Sequence, residues 1–179
     1  RLVDISNITD LLPGSALTDN VVVPEGHYAE DTMKATVVPN RNSIMANIAI
    51  GACVGYKAIV LRMGVHAGDH PVYPDCRPEF IIQLEKLAKI ANEGFIDPDF
   101  HIDCPWLFKE KSDIAAQAVD LGLDFEDTWS CYKGGINHCG RCSTCVERLE
   151  AIALAGYTSL DTTVYEDDEY WKEVVDANN

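Results

Sequence analysis

Four of the chain's seven cysteines stand close together: Cys131, then Cys139, Cys142 and Cys145 at intervals of three, with a loop of seven residues between the first and the rest. Four thiolates on one short loop can close a tetrahedral shell around zinc, and such a shell has no open position for water, which marks a structural rather than a catalytic ion. Gly140 lies between Cys139 and Cys142, where backbone wrapping tightly around an ion favours a residue without a β-carbon. Lys133, Arg141 and Arg148 offer positive charge to the thiolates. Other uses of the same residues stay open from spacing alone. Two disulfides would use all four thiols, an iron–sulfur cluster takes the same set, and His138 could replace one of them.

A second group of chemically capable residues runs from Met63 to Phe80 and carries His66, Asp69, His70, Asp75, Cys76 and Arg77 among three prolines, Pro71, Pro74 and Pro78. It is a stiff loop with many functional heads. Asp75 or Cys76 could instead cap the helix that opens at Pro78, and Arg77 could pair with a surface carboxylate. Arg41 and Asn42 stand at the mouth of a small-residue helix, where a guanidinium fork suits phosphate or carboxylate. Lys111 precedes another helix, whose free amides favour anions, although beside Lys109 and Glu110 it also reads as a solvated lysine.

The elements that must hold these residues alternate. The opening residues Arg1–Ile5 read as the end of a strand, Ile8–Leu12 as a helical turn, and residues 13–39 as a long loop. Residues 43–56 are small and apolar on nearly every face, predicting a helix buried on most sides, capped by Asn40 or Asn42. Ala58–Leu61 is a short apolar strand of the parallel-sheet kind. A helix from Pro78 to the cap at Gly94, a strand at Phe100–Ile102, a helix over 112–121 and another over 146–155 follow. Alternation of this kind predicts an α/β layered fold, with ligands at the carboxyl ends of the strands.

Composition narrows the function. Hydrophobic residues make up 47% and charged residues 24% of 179, enough for one domain with a substantial core. A net charge of −15 argues against general binding to nucleic acid, which needs cations to displace counterions. No stretch is long and apolar enough to span a membrane. The other cysteines, Cys53, Cys76 and Cys104, are scattered, as in a reducing compartment, so the cytoplasm is expected. The acidic end around Glu166–Glu169 reads as a solvated helix or tail.

Together these pieces resemble the 7-cyano-7-deazaguanine synthases, the QueC-type enzymes of the pathway to queuosine. Val38-Pro39-Asn40-Arg41-Asn42 is similar to a family element with glycine at the third place, and Tyr73-Pro74-Asp75-Cys76-Arg77 matches a family segment residue for residue. Pro105, Lys111 and Asp113 resemble a further stretch, with Cys104 for threonine and Asp113 for glutamate. Cys131-Tyr132 with Cys139, Cys142 and Cys145 looks like the family's zinc loop.

The resemblance implies an adenine-nucleotide α-hydrolase-like fold of the ATP-pyrophosphatase type and a carbon–nitrogen ligase. The substrates implied are 7-carboxy-7-deazaguanine, ammonia and ATP with magnesium, joined through an acyl adenylate. Zinc would be structural, on Cys131, Cys139, Cys142 and Cys145. Candidate catalytic residues are Lys111, Asp75 and Arg77, and candidate substrate-binding residues are Arg41, Asn42, Asp69, Tyr73 and Phe80. A homodimer is implied, with neither nucleic acid nor membrane as partner. The family's Ser-Gly-Gly-x-Asp-Ser pyrophosphate loop has no counterpart here. Residues 1–179 are therefore expected to be a single domain, the C-terminal part of a longer chain that is inactive alone, with the zinc loop at 131–145. His70-Pro71-Val72, Asn40, Cys104 and Asp113 depart from the pattern. The alternatives are a silent homologue that binds a deazapurine-like ligand or a partner protein, and an ATP-pyrophosphatase acting on another acid.

Overall fold

The computed structural model describes residues 2–178, which fall into two compact units: Asn40–Glu110, and residues 2–39 together with 111–178.

The Asn40–Glu110 unit is a βαβ arrangement with one extra helix. Helix α1 spans Arg41–Tyr56, strand β1 Val60–Arg62, helix α2 Pro78–Ala91 and strand β2 His101–Asp103. The strands pair in parallel, Leu61 opposite Ile102, as a helical crossover between neighbouring strands requires. Pro78 opens α2, where its missing N–H costs nothing. Ile81, Leu84 and Ala88 then recur on one face and close over Phe100 and Ile102. Glu85 ties helix to strand, its carboxylate accepting the Ile102 N–H at 3.0 Å.

Helix α1 corrects the expectation of burial on most sides. Only Ala46 and Ile50, one turn apart, are fully buried, whereas Met45 and Ile48 are 49% and 40% exposed. Small apolar residues permit burial on any face but do not impose it, and the core takes one stripe. The capping expectation also shifts: Asn40 precedes the helix in the left-handed region at φ 59° without a side-chain cap, and Asp75 reaches the Asn42 N–H instead.

In the other unit, α3 (Lys111–Asp120) and α5 (Tyr170–Asn178) both pack on α4 (Ser143–Leu154). Val146, Ala151 and Ile152 are the buried stripe of α4, and Ile152 meets Ala115 and Phe125. The loop expected over residues 13–39 contains a 3-10 turn at Asp31–Thr36 that buries Met33 and Thr36. Residues 2–5 form no strand, contrary to expectation, and Arg1 lies outside the described residues. The acidic end is not a free tail. His138 N–H donates to Val164 O at 3.1 Å, Glu166 N–H donates to His138 O at 2.8 Å, and Val175 of α5 is buried.

Candidate functional site

The four cysteines converge as their spacing foretold. Cys131 reaches in from the loop before Gly134; Cys139 and Cys142 flank the turn at Gly140; Cys145 comes from the first turn of α4. All four are buried, with their sulfurs within 4.8 Å of one another. None is in a disulfide, and the Cys139 and Cys145 sulfurs stand 4.0 Å apart, twice a disulfide bond. A single tetrahedral zinc with Zn–S of about 2.3 Å would place its sulfurs about 3.8 Å apart, so the set fits one ion. A four-iron cluster, one sulfur on each separate iron, needs a wider cage.

Backbone amides already point at the sulfurs. Cys139 N–H donates to Cys131 Sγ at 3.4 Å, while Arg141 and Cys142 N–H donate to Cys139 Sγ at 3.4 and 3.2 Å. At Cys139 the two bonds offset only part of the burial that pushes its thiol up. Crowding also makes the thiols share protons: a hydrogen bond from Cys145 pulls Cys142 down to about 4, and the same bond, with burial, pushes Cys145 up.

His138 is not part of the set. Its Nε2 accepts the Ser130 N–H at 3.1 Å, its ring lies against Trp129, and burial together with Arg148 holds its pKa down. Lys133 and Arg141 stay at the loop, but both pair with Glu25, and Arg141 also reaches Asp167 at 2.8 Å and lies 3.9 Å over the Tyr170 ring. Arg148 serves a different purpose from the one its position suggests. Its guanidinium donates to Tyr165 Oη at 2.7 Å, Thr128 Oγ1 at 2.6 Å, Phe125 O at 2.6 Å and Thr163 Oγ1 at 2.9 Å. It is a buried peg that holds residues 125–128 and 163–165 to α4.

In the Asn40–Glu110 unit the two motifs meet. Asn42 N–H donates to Asp75 Oδ2 at 3.4 Å, and its side-chain amide lies 3.5 Å from Asp75 O and 3.4 Å from Cys76 Sγ. Burial, then the charges of Asp69 and Asp75, push the Cys76 thiol up to about 12, so it is neutral. Among the described residues Arg77 pairs with no carboxylate; it donates to His70 O at 2.8 Å and Pro71 O at 3.4 Å, stapling its own loop. Asp69 sits 3.4 Å from His66 Nε2, and its carbonyl accepts the Tyr73 N–H at 2.8 Å. Tyr73 and Phe80 pack at the edge of the unit's core. Arg41 opens α1.

Lys111, the first residue of α3, belongs to the other unit and is not solvated freely: it forms an ion pair with Glu147 of α4. Sequence reasoning passed over Glu147, Arg148 as a peg, and Thr144, whose hydroxyl donates to Ser130 O at 2.7 Å. Only charged residues on the buried stripe of α4 could have signalled the first two.

Residues 1–156 match the family described as queuosine biosynthesis protein QueC. The 7-cyano-7-deazaguanine synthase of Brucella anthropi is 49% identical over 179 residues, covering 100% of this chain and 75% of the relative. Those of Allorhizobium ampelinum and Rhizobium johnstonii are each 51% identical, over 96% and 98% of this chain and 71% and 72% of their own lengths.

Proposed function

Because this chain belongs to the QueC family, we propose that it catalyses the synthesis of 7-cyano-7-deazaguanine, as a carbon–nitrogen ligase of queuosine biosynthesis. The single observation that carries this is the level of identity to named synthases along the whole chain. Neither a silent homologue nor a ligase of another acid is favoured by any relative described above. A cytoplasmic homodimer acting on small molecules accords with this reading, and no helix among the described residues is long and apolar enough to cross a membrane.

The substrates are 7-carboxy-7-deazaguanine, ammonia and ATP, the last carrying its magnesium. A carboxylate oxygen attacks the α-phosphorus of ATP and pyrophosphate leaves. Ammonia then attacks the acyl carbon, AMP departs, and an amide results. The amide oxygen then attacks the α-phosphorus of a second ATP, pyrophosphate leaves, and loss of AMP and protons gives the nitrile. Such chemistry asks for cations on the phosphates and fixed donors and acceptors around the base.

Lys111 and Arg41 are suited to phosphate or to the substrate carboxylate. Asp75, fixed by Asn42, and Asp69, in its stapled loop, are suited to the edge of the base or to the magnesium that ATP brings. Within the Asn40–Glu110 unit, Arg77 serves through the loop whose carbonyls it holds, and Tyr73 and Phe80 through the apolar wall they extend. Zinc would be held by Cys131, Cys139, Cys142 and Cys145, where it supplies a fixed crosslink and no reactive water. The adenine-nucleotide α-hydrolase-like fold and a single domain over residues 1–179 belong to the same proposal.

The test is a reconstitution from the complete reading frame with 7-carboxy-7-deazaguanine, ammonium and MgATP. The nitrile, identified by mass, and pyrophosphate release that requires the acid are expected. Pyrophosphate release driven by a different acid, or none at all, would overturn the reading.

A further inference from the structure

Glu147 lies on the buried stripe of α4 with its side chain only 10% exposed, and its carboxylate is paired with the Lys111 ammonium. A carboxylate so deeply set is costly without a cation, and removing the cation costs more than the pair gains. The helix that carries it is pinned on both sides. Cys145, two residues earlier, belongs to the four-sulfur set, and Arg148, the next residue, is held by the Thr128, Thr163 and Tyr165 side chains and the Phe125 carbonyl. Lysine brings the opposite property, a point charge on a flexible stem. The Lys111 side chain remains 29% exposed, and its ammonium has two further donors beyond the one given to Glu147.

We infer that Glu147 is the positioning residue for Lys111, fixing its ammonium for the reacting carboxylate or phosphates and thereby transmitting the rigidity of the metal loop to the chemistry. This rests on the catalytic reading of Lys111 given above. Glu147 touches no substrate; it acts by holding one lysine rotamer in place, which otherwise must be ordered at each turnover.

The test is a double-mutant cycle in the complete enzyme, with Glu147→Gln, Lys111→Ala and both together, reading kcat, KM for the acid, metal per chain and melting temperature. Gln keeps the shape of the side chain and an oxygen acceptor. Glu147→Gln should lower kcat by about ten- to a hundredfold, the scale of a misplaced group, with metal content unchanged and KM for the acid little altered. In the Lys111→Ala background it should add nothing, and Glu147→Asp should restore part of the loss. Wild-type kcat in Glu147→Gln, with Lys111→Ala inactive, would overturn the positioning role and leave Lys111 catalytic. Full turnover in Lys111→Ala would remove the catalytic reading of that lysine and this inference with it. Equal losses from Glu147→Gln in both backgrounds, or loss of metal, would make the pair a structural joint and overturn the inference.

Discussion

Gly140 and Gly134 both sit at positive φ, 72° and 68°, yet their surroundings differ. A β-carbon on Gly134 meets nothing within 4 Å, whereas one on Gly140 would stand 1.6 Å from the carbonyl oxygen of Asp167. Alanine at Gly134 should cost about 1–2 kcal/mol, the strain of a left-handed residue. Alanine at Gly140 must also expel the chain end from the knuckle, and we expect a larger drop in melting temperature with loss of stoichiometric metal, read by calorimetry and elemental analysis. Asp75 separates charge from geometry in another way. Asn in its place keeps an oxygen for the Asn42 N–H, so Asp75→Asn should hold its melting temperature while turnover falls sharply if the carboxylate works on substrate; equal losses would make Asp75 a cap. Cys76 gives a pH signature. Burial and the two aspartates raise its folded pKa to about 12, above roughly 8.5 in an unfolded chain. The native state therefore holds the proton more tightly, and its contribution is fully present below pH of about 8.5 and lost as pH rises toward 12. Urea midpoints should fall more steeply across that window in the wild type than in Cys76→Ala.

At the scale of elements, α4 organises its unit because its buried stripe carries a cation as well as hydrocarbon. Asp161 Oδ1 lies 3.8 Å from Arg148, both side chains nearly buried, and Asp161 Oδ2 accepts the Tyr165 hydroxyl at 2.8 Å. Arg148→Met fills much of the same volume but strands the Asp161 carboxylate, and should cost about 3–5 kcal/mol, read as a shifted denaturant midpoint with α5 losing protection first. This network also marks where the sequence stopped being legible. The helices expected at 78–94, 112–121 and 146–155 stand at 78–91, 111–120 and 143–154; their existence was legible from periodicity and from Pro78 because apolar stripes are local, while their ends were not. Cysteine spacing was legible for the same reason. The docking of residues 161–170 was not, since it depends on partners far away in sequence: Arg141 with Asp167, Arg148 with Tyr165, and the Gly140 turn with the Asp167 carbonyl. An acidic run read alone looks solvated. Likewise α1 shows helical residues throughout, but which face is buried was decided by β1, α2 and the Pro74–Cys76 turn packed against it.

On the scale of the whole molecule, the metal loop is where three distant stretches of one unit are tied. Glu25 bridges to Cys142 and receives Lys133 and Arg141, so residues from the first quarter of the chain are strapped to the knuckle. The segment at Val164–Glu166 is strapped to His138 by two backbone bonds, and Asp167 caps the start of α5 through the Tyr170 N–H at 3.0 Å while holding Arg141. Every one of these ties requires the backbone path from Cys131 to Cys145. An ion gathering four thiolates fixes that path; without one, four buried sulfurs must share protons or separate, and binding free energy of the ion becomes folding free energy. The Asn40–Glu110 unit has its own core and none of the four cysteines. Stripping metal with a strong chelator should therefore raise hydrogen exchange at Gly26, His138, Arg141 and Glu166 by orders of magnitude, with the Ile102 amide and the α2 helix much less affected. Mass-resolved exchange before and after zinc is restored would measure it. Uniform loosening of both units would mean that the sulfurs support the fold globally, and unchanged protection at His138 and Glu166 would mean that the straps hold without the ion.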